Sequence, residues 1–260
     1  MKALLTITLT SLLTLNLAFA QTPEERGLEI AIESDKRDTG FSDQRAEMLM
    51  TLRNATGKET TRKVRVKTLE VDGDGDKSIS IFDQPRDVKG TAFLSYTHST
   101  KPDDQWLFLP ALKRVKRIAS RNKSGPFMGS EFSFEDITSF EVDKYTYKYL
   151  HDEEIDGKAS FVIEQFPAYD ASGYTRRIVW VDQEIYQPLK VEFYDRKNSL
   201  LKTLTFHEYQ QYLDRYWRAD RQEMINHQSK KSTTLKFDNY QFQTGLTDRD
   251  FDQNSLKRSR

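Results

Sequence analysis

The chain of 260 residues contains no cysteine. That excludes disulfides, thiolate metal sites, a cysteine nucleophile and a lipid-modified N-terminal cysteine. Net charge is missing as well, because 40 Lys and Arg balance 40 Asp and Glu, which argues against a dedicated nucleic-acid binder. Long apolar runs are confined to the start. There Lys2 precedes an apolar stretch from Ala3 to Leu17, and Ala18-Phe19-Ala20 fits a small-x-small cleavage site, so residues 1–20 read as a cleaved secretory signal peptide. The remainder, 21–260, has no second stretch of spanning length and no linker rich in Gly, Pro or Ser. It is expected to be one exported domain, free in the periplasm.

Catalytic signatures are also lacking. No GxSxG elbow, phosphate-binding loop or dinucleotide fingerprint occurs. His98, His151, His207 and His227 lie far apart and in no HExxH spacing. Glu135 and Asp136 are adjacent, so on a helix they diverge and form no acid/base pair by themselves. Asp72, Asp74, Asp76 and Asp83 match acidic positions of a calcium loop, but Lys77 stands where that loop requires Gly. Neither an enzyme, nor a cofactor, nor a metal site is expected.

What is present is period two. Thr22-Pro23-Glu24-Glu25 starts a helix with a capping box, whose apolar stripe is expected from Leu28, Ile32 and Ala31 and fades by Gly40. From Ser42 onward residues alternate: Met48, Met50 and Leu52 share one face of a strand, as do Val64 and Val66, Ile79 and Ile81, Tyr145, Tyr147 and Tyr149, Leu189, Val191 and Phe193, then Leu204 and Phe206, Leu235 and Phe237. A phase change between Val66 and Leu69 predicts a bulge or bend. Short turns separate these runs, which predicts a long antiparallel meander that either splits into a sandwich or curls towards a barrel.

The stretch from Asp104 to Ile137 departs from alternation. Trp106, Leu107, Phe108 and Leu109 are apolar on both faces of a strand, so both faces must be sheltered, in a core or with one face lining an apolar cavity. A basic run follows, including Lys113, Arg114, Lys116 and Arg117, and then the apolar cluster Phe127, Met128, Phe132, Phe134 and Ile137. The basic run suits lipid head groups, an acidic partner, or simply water and the acidic residues that come after it. Met and Phe suit either core packing or an adaptable apolar pocket.

The run QWLFLPALKRVKRIASRNKSGPFMGSEFSFEDI, with QPRDVKGTAFLSY before it and YTRRIVWVD, PLKVEFYD and LKTLTF after it, resembles the outer-membrane lipoprotein-sorting proteins, relatives of the periplasmic carrier LolA. The resemblance covers nearly all of the chain after residue 20. It implies a mainly β fold with a few helices: a strongly curved antiparallel sheet forming an incomplete β-barrel, closed by helices over an apolar cavity that shelters acyl chains. The implied function is a periplasmic carrier that moves the acyl chains of a lipoprotein or lipid from the inner towards the outer membrane. The chain is longer than the narrow LolA pattern, and Arg53 and Arg62 are both candidates for that carrier's cavity arginine. The resemblance also implies an inner-membrane permease of the resistance-nodulation-division class as donor and an outer-membrane acceptor.

The residues expected to line or cover the cavity are Met48, Met50, Leu52, Trp106, Phe108, Phe127, Met128, Phe132, Phe134 and Ile137, with Leu107 and Leu109 as the alternative parity of that strand. Lys113, Arg114, Lys116 and Arg117 are the expected head-group or partner contacts. A ligand-free accessory subunit of an inner-membrane export complex is the alternative function.

Overall fold

Thr22 accepts a hydrogen bond from the Glu25 backbone while the Glu25 carboxylate accepts one from the Thr22 N–H, so the predicted capping box starts helix α1 (Pro23–Asp38). Of the expected stripe only Ala31 is buried. Gly27, Ile30 and Ala31 face the protein, whereas Leu28 and Ile32 are 41% and 49% exposed. The reason is Gly27: a Cβ there would lie 2.8 Å from the Tyr149 backbone nitrogen, so the missing side chain lets the helix backbone settle directly on a strand. The computed structural model describes residues 21–258; the expected signal peptide lies outside the described residues.

Thirteen strands follow: β1 (Asp43–Arg53), β2 (Glu59–Leu69), β3 (Lys77–Gln84), β4 (Ala92–Tyr96), β5 (Asp104–Leu109), β6 (Arg114–Ile118), β7 (Tyr145–Ile155), β8 (Lys158–Pro167), β9 (Tyr174–Asp182), β10 (Pro188–Asp195), β11 (Leu200–Tyr212), β12 (Tyr216–Asn226) and β13 (Ser232–Phe242). They form one antiparallel sheet in the order β6-β5-β4-β3-β2-β1-β13-β12-β11-β10-β9-β8-β7. The meander is therefore cut once, between β6 and β7, and rejoined by pairing β1 with β13. Because β6 and β7 do not pair, the sheet is an open one and not a closed barrel. A short helix, α2 (Gln253–Arg258), ends the described chain.

No bulge falls between Val66 and Leu69, since β2 pairs with β1 without a shift from Arg53↔Glu59 to Asp43↔Leu69. Val64 and Val66 face one side and Leu69 packs on the other, so both phases are apolar because both faces are covered. Register shifts fall elsewhere, at Lys63/Val64, Arg45/Glu47, Tyr149/His151, Phe193/Tyr194, Pro188/Lys190 and Tyr194/Asp195.

Two layers of side chains result. The inner one takes residues from all thirteen strands, from α1 and from the long connection between β6 and β7. The outer one covers β3 to β5, where Ile79, Ile81, Ala92 and Leu94 are buried by Leu246, Phe251 and Leu256 of the C-terminal segment, and a smaller cluster of Val162, Trp180 and Leu189 packs on β8 to β10. Both faces of β5 are thus sheltered by protein, which is why Trp106 to Leu109 need no polar alternation.

Candidate functional site: the covered inner face

Residues 119–144 leave β6, cross the inner face of the open sheet and enter β7. They form little regular structure beyond single 3-10 turns at Ser120–Asn122, Phe127–Gly129 and Val142–Lys144. A local hairpin folds the segment back on itself. Phe127 N–H donates to the Phe132 carbonyl at 2.7 Å and Phe134 N–H to the Gly125 carbonyl at 3.1 Å, while Met128, at φ 51°, and Gly129, at φ 77°, make the reversal in the left-handed region. This fold drives Phe127 (1% exposed) and Phe132 (2%) inward, with Met128, Phe134 and Ile137 packed around them. Phe127 meets Phe82, Phe93 and Phe134 with ring centroids 5.3 to 5.8 Å apart.

Polar ties fasten the segment. Arg62 of β2 donates to the Met128 carbonyl, Gln105 of β5 donates to the Phe134 carbonyl at 3.0 Å, and Thr233 of β13 accepts from the Glu131 N–H at 3.0 Å. Lys202 of β11 shares the inward parity of Leu204, so its ammonium is buried. It meets Asp136 at 2.5 Å and the Glu131 carbonyl at 2.9 Å. Asp136 also accepts from Tyr174 Oη at 2.7 Å and Ser133 N–H at 2.6 Å. Burial, and then the Asp136 charge, push the Tyr174 phenol well above its ordinary range, so it remains a donor. Glu135 is likewise raised by burial and by Asp136, although Tyr169, Ser172 and the Gly173 N–H donate to it.

A second buried cluster clamps both ends of the segment to one carboxylate. Lys123 and Lys144 reach Asp103 at 2.8 and 2.5 Å. Burial alone would raise Asp103, but the two ammonium groups outweigh it and hold the carboxyl below its usual range. Buried charges so arranged contribute little net stability, yet each is costly to orphan, which fixes one resting position for the segment.

The expected site residues separate into two sets. Met48, Met50, Leu52, Phe127, Met128, Phe132, Phe134 and Ile137 come together in the inner layer. Trp106 and Phe108 do not: they face the outer layer under the C-terminal segment, and Leu107 and Leu109 take the inward positions, because Gln105, Leu107 and Leu109 share the parity that points at the crossing segment. Residues on this face that were not singled out include Phe82, Phe93, Phe161, Ile163 and Met224. Period two marked several of their neighbours without telling which face was inward. Of the two candidate arginines, Arg62 touches the crossing segment, whereas Arg53 pairs with Glu59 at the exposed end of the β1–β2 hairpin. Arg114 and Lys116 are exposed on the edge strand β6, Lys113 sits at its turn, and Arg117 bonds to Asp104. The acidic run is dispersed: Asp74 meets His98 at 2.6 Å, Asp76 accepts from Ser139, and Asp83 pairs with Arg65. Among the described residues no group of three or more His, Asp or Glu is placed to hold a metal ion.

Beside the hairpin of the crossing segment lies an open cleft of about 930 Å³. Its floor includes Phe132, Tyr174, Leu201 and Lys202, and its lips are the turns after β10 and after β12. Those two turns are tied together by Gln228, which donates to Asp195 Oδ2 at 2.9 Å.

A family model described as an uncharacterized protein matches residues 74–258. An outer membrane lipoprotein-sorting protein domain from Vibrio parahaemolyticus is 59% identical, with a TM-score of 0.89 over 90% of this chain and 99% of that one. A DUF1329 family protein from Desulfovibrio piger is 29% identical, with a TM-score of 0.87 over 90% of this chain and 99% of that one. A LolA superfamily protein from Nitrosomonas europaea shares the fold at 21% identity, with a TM-score of 0.71 over 88% and 98% of the two chains. No curated protein matches the chain.

Proposed function

Since the chain belongs to the outer-membrane lipoprotein-sorting protein family, we propose that it is a non-enzymatic periplasmic carrier that shelters the acyl chains of a lipoprotein or lipid on the inner face of its open sheet. The observation that carries this reading is the crossing segment itself. It puts five large apolar side chains, Phe127, Met128, Phe132, Phe134 and Ile137, onto an apolar face built by the strands, yet it has almost no regular structure of its own.

The energies are commensurate. Exposing a sixteen-carbon chain to water costs on the order of 12 kcal/mol at about 0.8 kcal/mol per methylene. Burying five such side chains gains about 1.5 to 3 kcal/mol each, roughly 10 kcal/mol together. Exchange of the segment for an acyl chain would therefore be close to balanced, which lets a carrier both load and release. In this reading Met48, Met50 and Leu52 line the opened face, an inner-membrane permease of the resistance-nodulation-division class is the donor, and an outer-membrane protein is the acceptor.

The filled inner face favours a second reading, a ligand-free accessory subunit of an inner-membrane export complex. Native mass spectrometry of protein purified from its own periplasm without detergent, followed by lipid extraction, separates the two. The carrier should retain a stoichiometric acylated species; a lipid-free protein that also fails to take up a fluorescent fatty acid would leave only the subunit.

A further inference from the structure

The net charge of zero conceals a separation along the strands. The strand register places the turns 54–58, 85–91, 110–113, 168–173, 196–199 and 227–231 at one end of the sheet. Together they hold eight Lys or Arg and two Asp, and all eight cations are exposed. The five turns at the other end, 70–76, 97–103, 156–157, 183–187 and 213–215, hold the reverse: eight Asp or Glu and two Lys or Arg. None of the eight cations takes part in an ion pair among the described residues. Four of them, Arg196, Lys197, Lys230 and Lys231, stand on the two turns that form the lips of the cleft beside the crossing segment. Two acids stand nearby, each holding neutral donors, and Arg196 Nε itself donates to the Ser172 carbonyl at 3.1 Å. Asp195 accepts from its own turn and from Gln228, and Glu131 accepts from Asn226 and Ser229.

We propose that this end of the sheet docks on an anionic phospholipid surface, with Arg196, Lys197, Lys230 and Lys231 among the headgroup phosphates and the cleft turned towards the bilayer. A molecule of zero net charge gains no steering from its total charge, but a local cluster of exposed cations with no ion-pair partner is drawn to an anionic surface within a Debye length. Mobile headgroups suit cations spread over several hairpin tips on long side chains. A protein partner would need a desolvated apolar or aromatic centre, and the lip turns, Arg-Lys-Asn-Ser and His-Gln-Ser-Lys-Lys, contain no large aliphatic or Phe, Tyr or Trp residue. The docking itself does not depend on the carrier reading; the sense of having the cleft face the bilayer rests on it.

The test is co-sedimentation of the full mature chain with vesicles of phosphatidylcholine alone and of equimolar phosphatidylcholine and phosphatidylglycerol. Binding is expected only to the anionic vesicles, and it should fall steeply as salt is raised. A basic residue near such a surface contributes roughly fivefold in partitioning. The variant Arg196→Gln, Lys197→Gln, Lys230→Gln, Lys231→Gln should therefore lose about a hundredfold or more. A charge-matched control, Lys36→Gln, Lys101→Gln, Lys148→Gln, Lys236→Gln, should lose much less, and thermal melts confirm that both variants fold. Equal binding to both vesicles, equal loss in both variants, or no vesicle binding with capture of an acidic protein in its place would each overturn the proposal. Fatty-acid uptake measured without vesicles reads the inner face alone, so a failure of docking and a failure of the carrier reading are told apart.

Discussion

At the residue scale the decisive contacts are charges buried under the crossing segment. Lys202 and Asp136 have side chains only 4% and 2% exposed, so neither can lose its partner to water without a penalty. Asp136→Asn or Lys202→Met should each destabilise the protein by about 3 kcal/mol or more, read as a fall in the urea midpoint. The double variant should cost clearly less than the sum of the two, because the second substitution removes the orphaned charge. Additive losses would mean that the pair does not act as a unit. None of this was visible in the sequence, where Lys202 was one polar residue in an alternating run and Asp136 one acid beside another. Their meeting joins residues 66 apart along the chain.

At the element scale the crossing segment is the part most open to change. Its aromatic side chains fill the inner face, and its backbone is tied to the sheet mainly through Arg62, Gln105, Thr233 and Lys202. Phe127→Ala with Phe132→Ala should destabilise the segment by several kcal/mol, at about 3 to 5 kcal/mol for each buried Phe. If the inner face receives acyl chains, the same variant should bind a fluorescent fatty acid at least tenfold more tightly, because less apolar contact has to be displaced; if the segment is only core, uptake stays nil while stability falls. Hydrogen exchange over 125–134 reports whether the segment has loosened. The apolar composition of this segment was legible, as were the antiparallel meander and the helix cap at Thr22. The face of β5 was not, since a strand apolar on both sides carries no internal mark of which side is which; the C-terminal segment around Phe251 and the crossing segment decide it.

At the scale of the whole molecule, stability should respond to pH through a carboxylate pair where the end of the crossing segment meets the β2–β3 turn. Burial first, and then the Glu70 charge, raise Asp76 to about 7; burial, and then Asp76, raise Glu141 to about 7. A carboxyl whose folded pKa lies above its unfolded one holds more protons folded than unfolded, so its contribution is lost as pH rises between roughly 4 and 7. The melting temperature should therefore decline over that window. Asp76→Asn with Glu141→Gln should flatten the decline and melt higher than the parent at pH 8, by roughly 3 °C or more. A parent whose melting temperature is flat or rising from pH 5 to 8 would contradict the assignment.

The sequence by itself determined that a capped helix leads into strands, that these fold as antiparallel hairpins, that the chain has no cysteine chemistry, and that one stretch is too apolar to face water on either side. These are local properties, written in alternation, turn residues and caps, and each can be read within about ten residues. Only the tertiary structure decided that the gap of the open sheet falls between β6 and β7, that Leu107 and Leu109 are the inward pair, and that Arg62, Lys202 and Asp103 fasten the cover. Those outcomes depend on which distant residues meet, and packing and buried charge select them jointly, with no periodic signal along the chain to announce them.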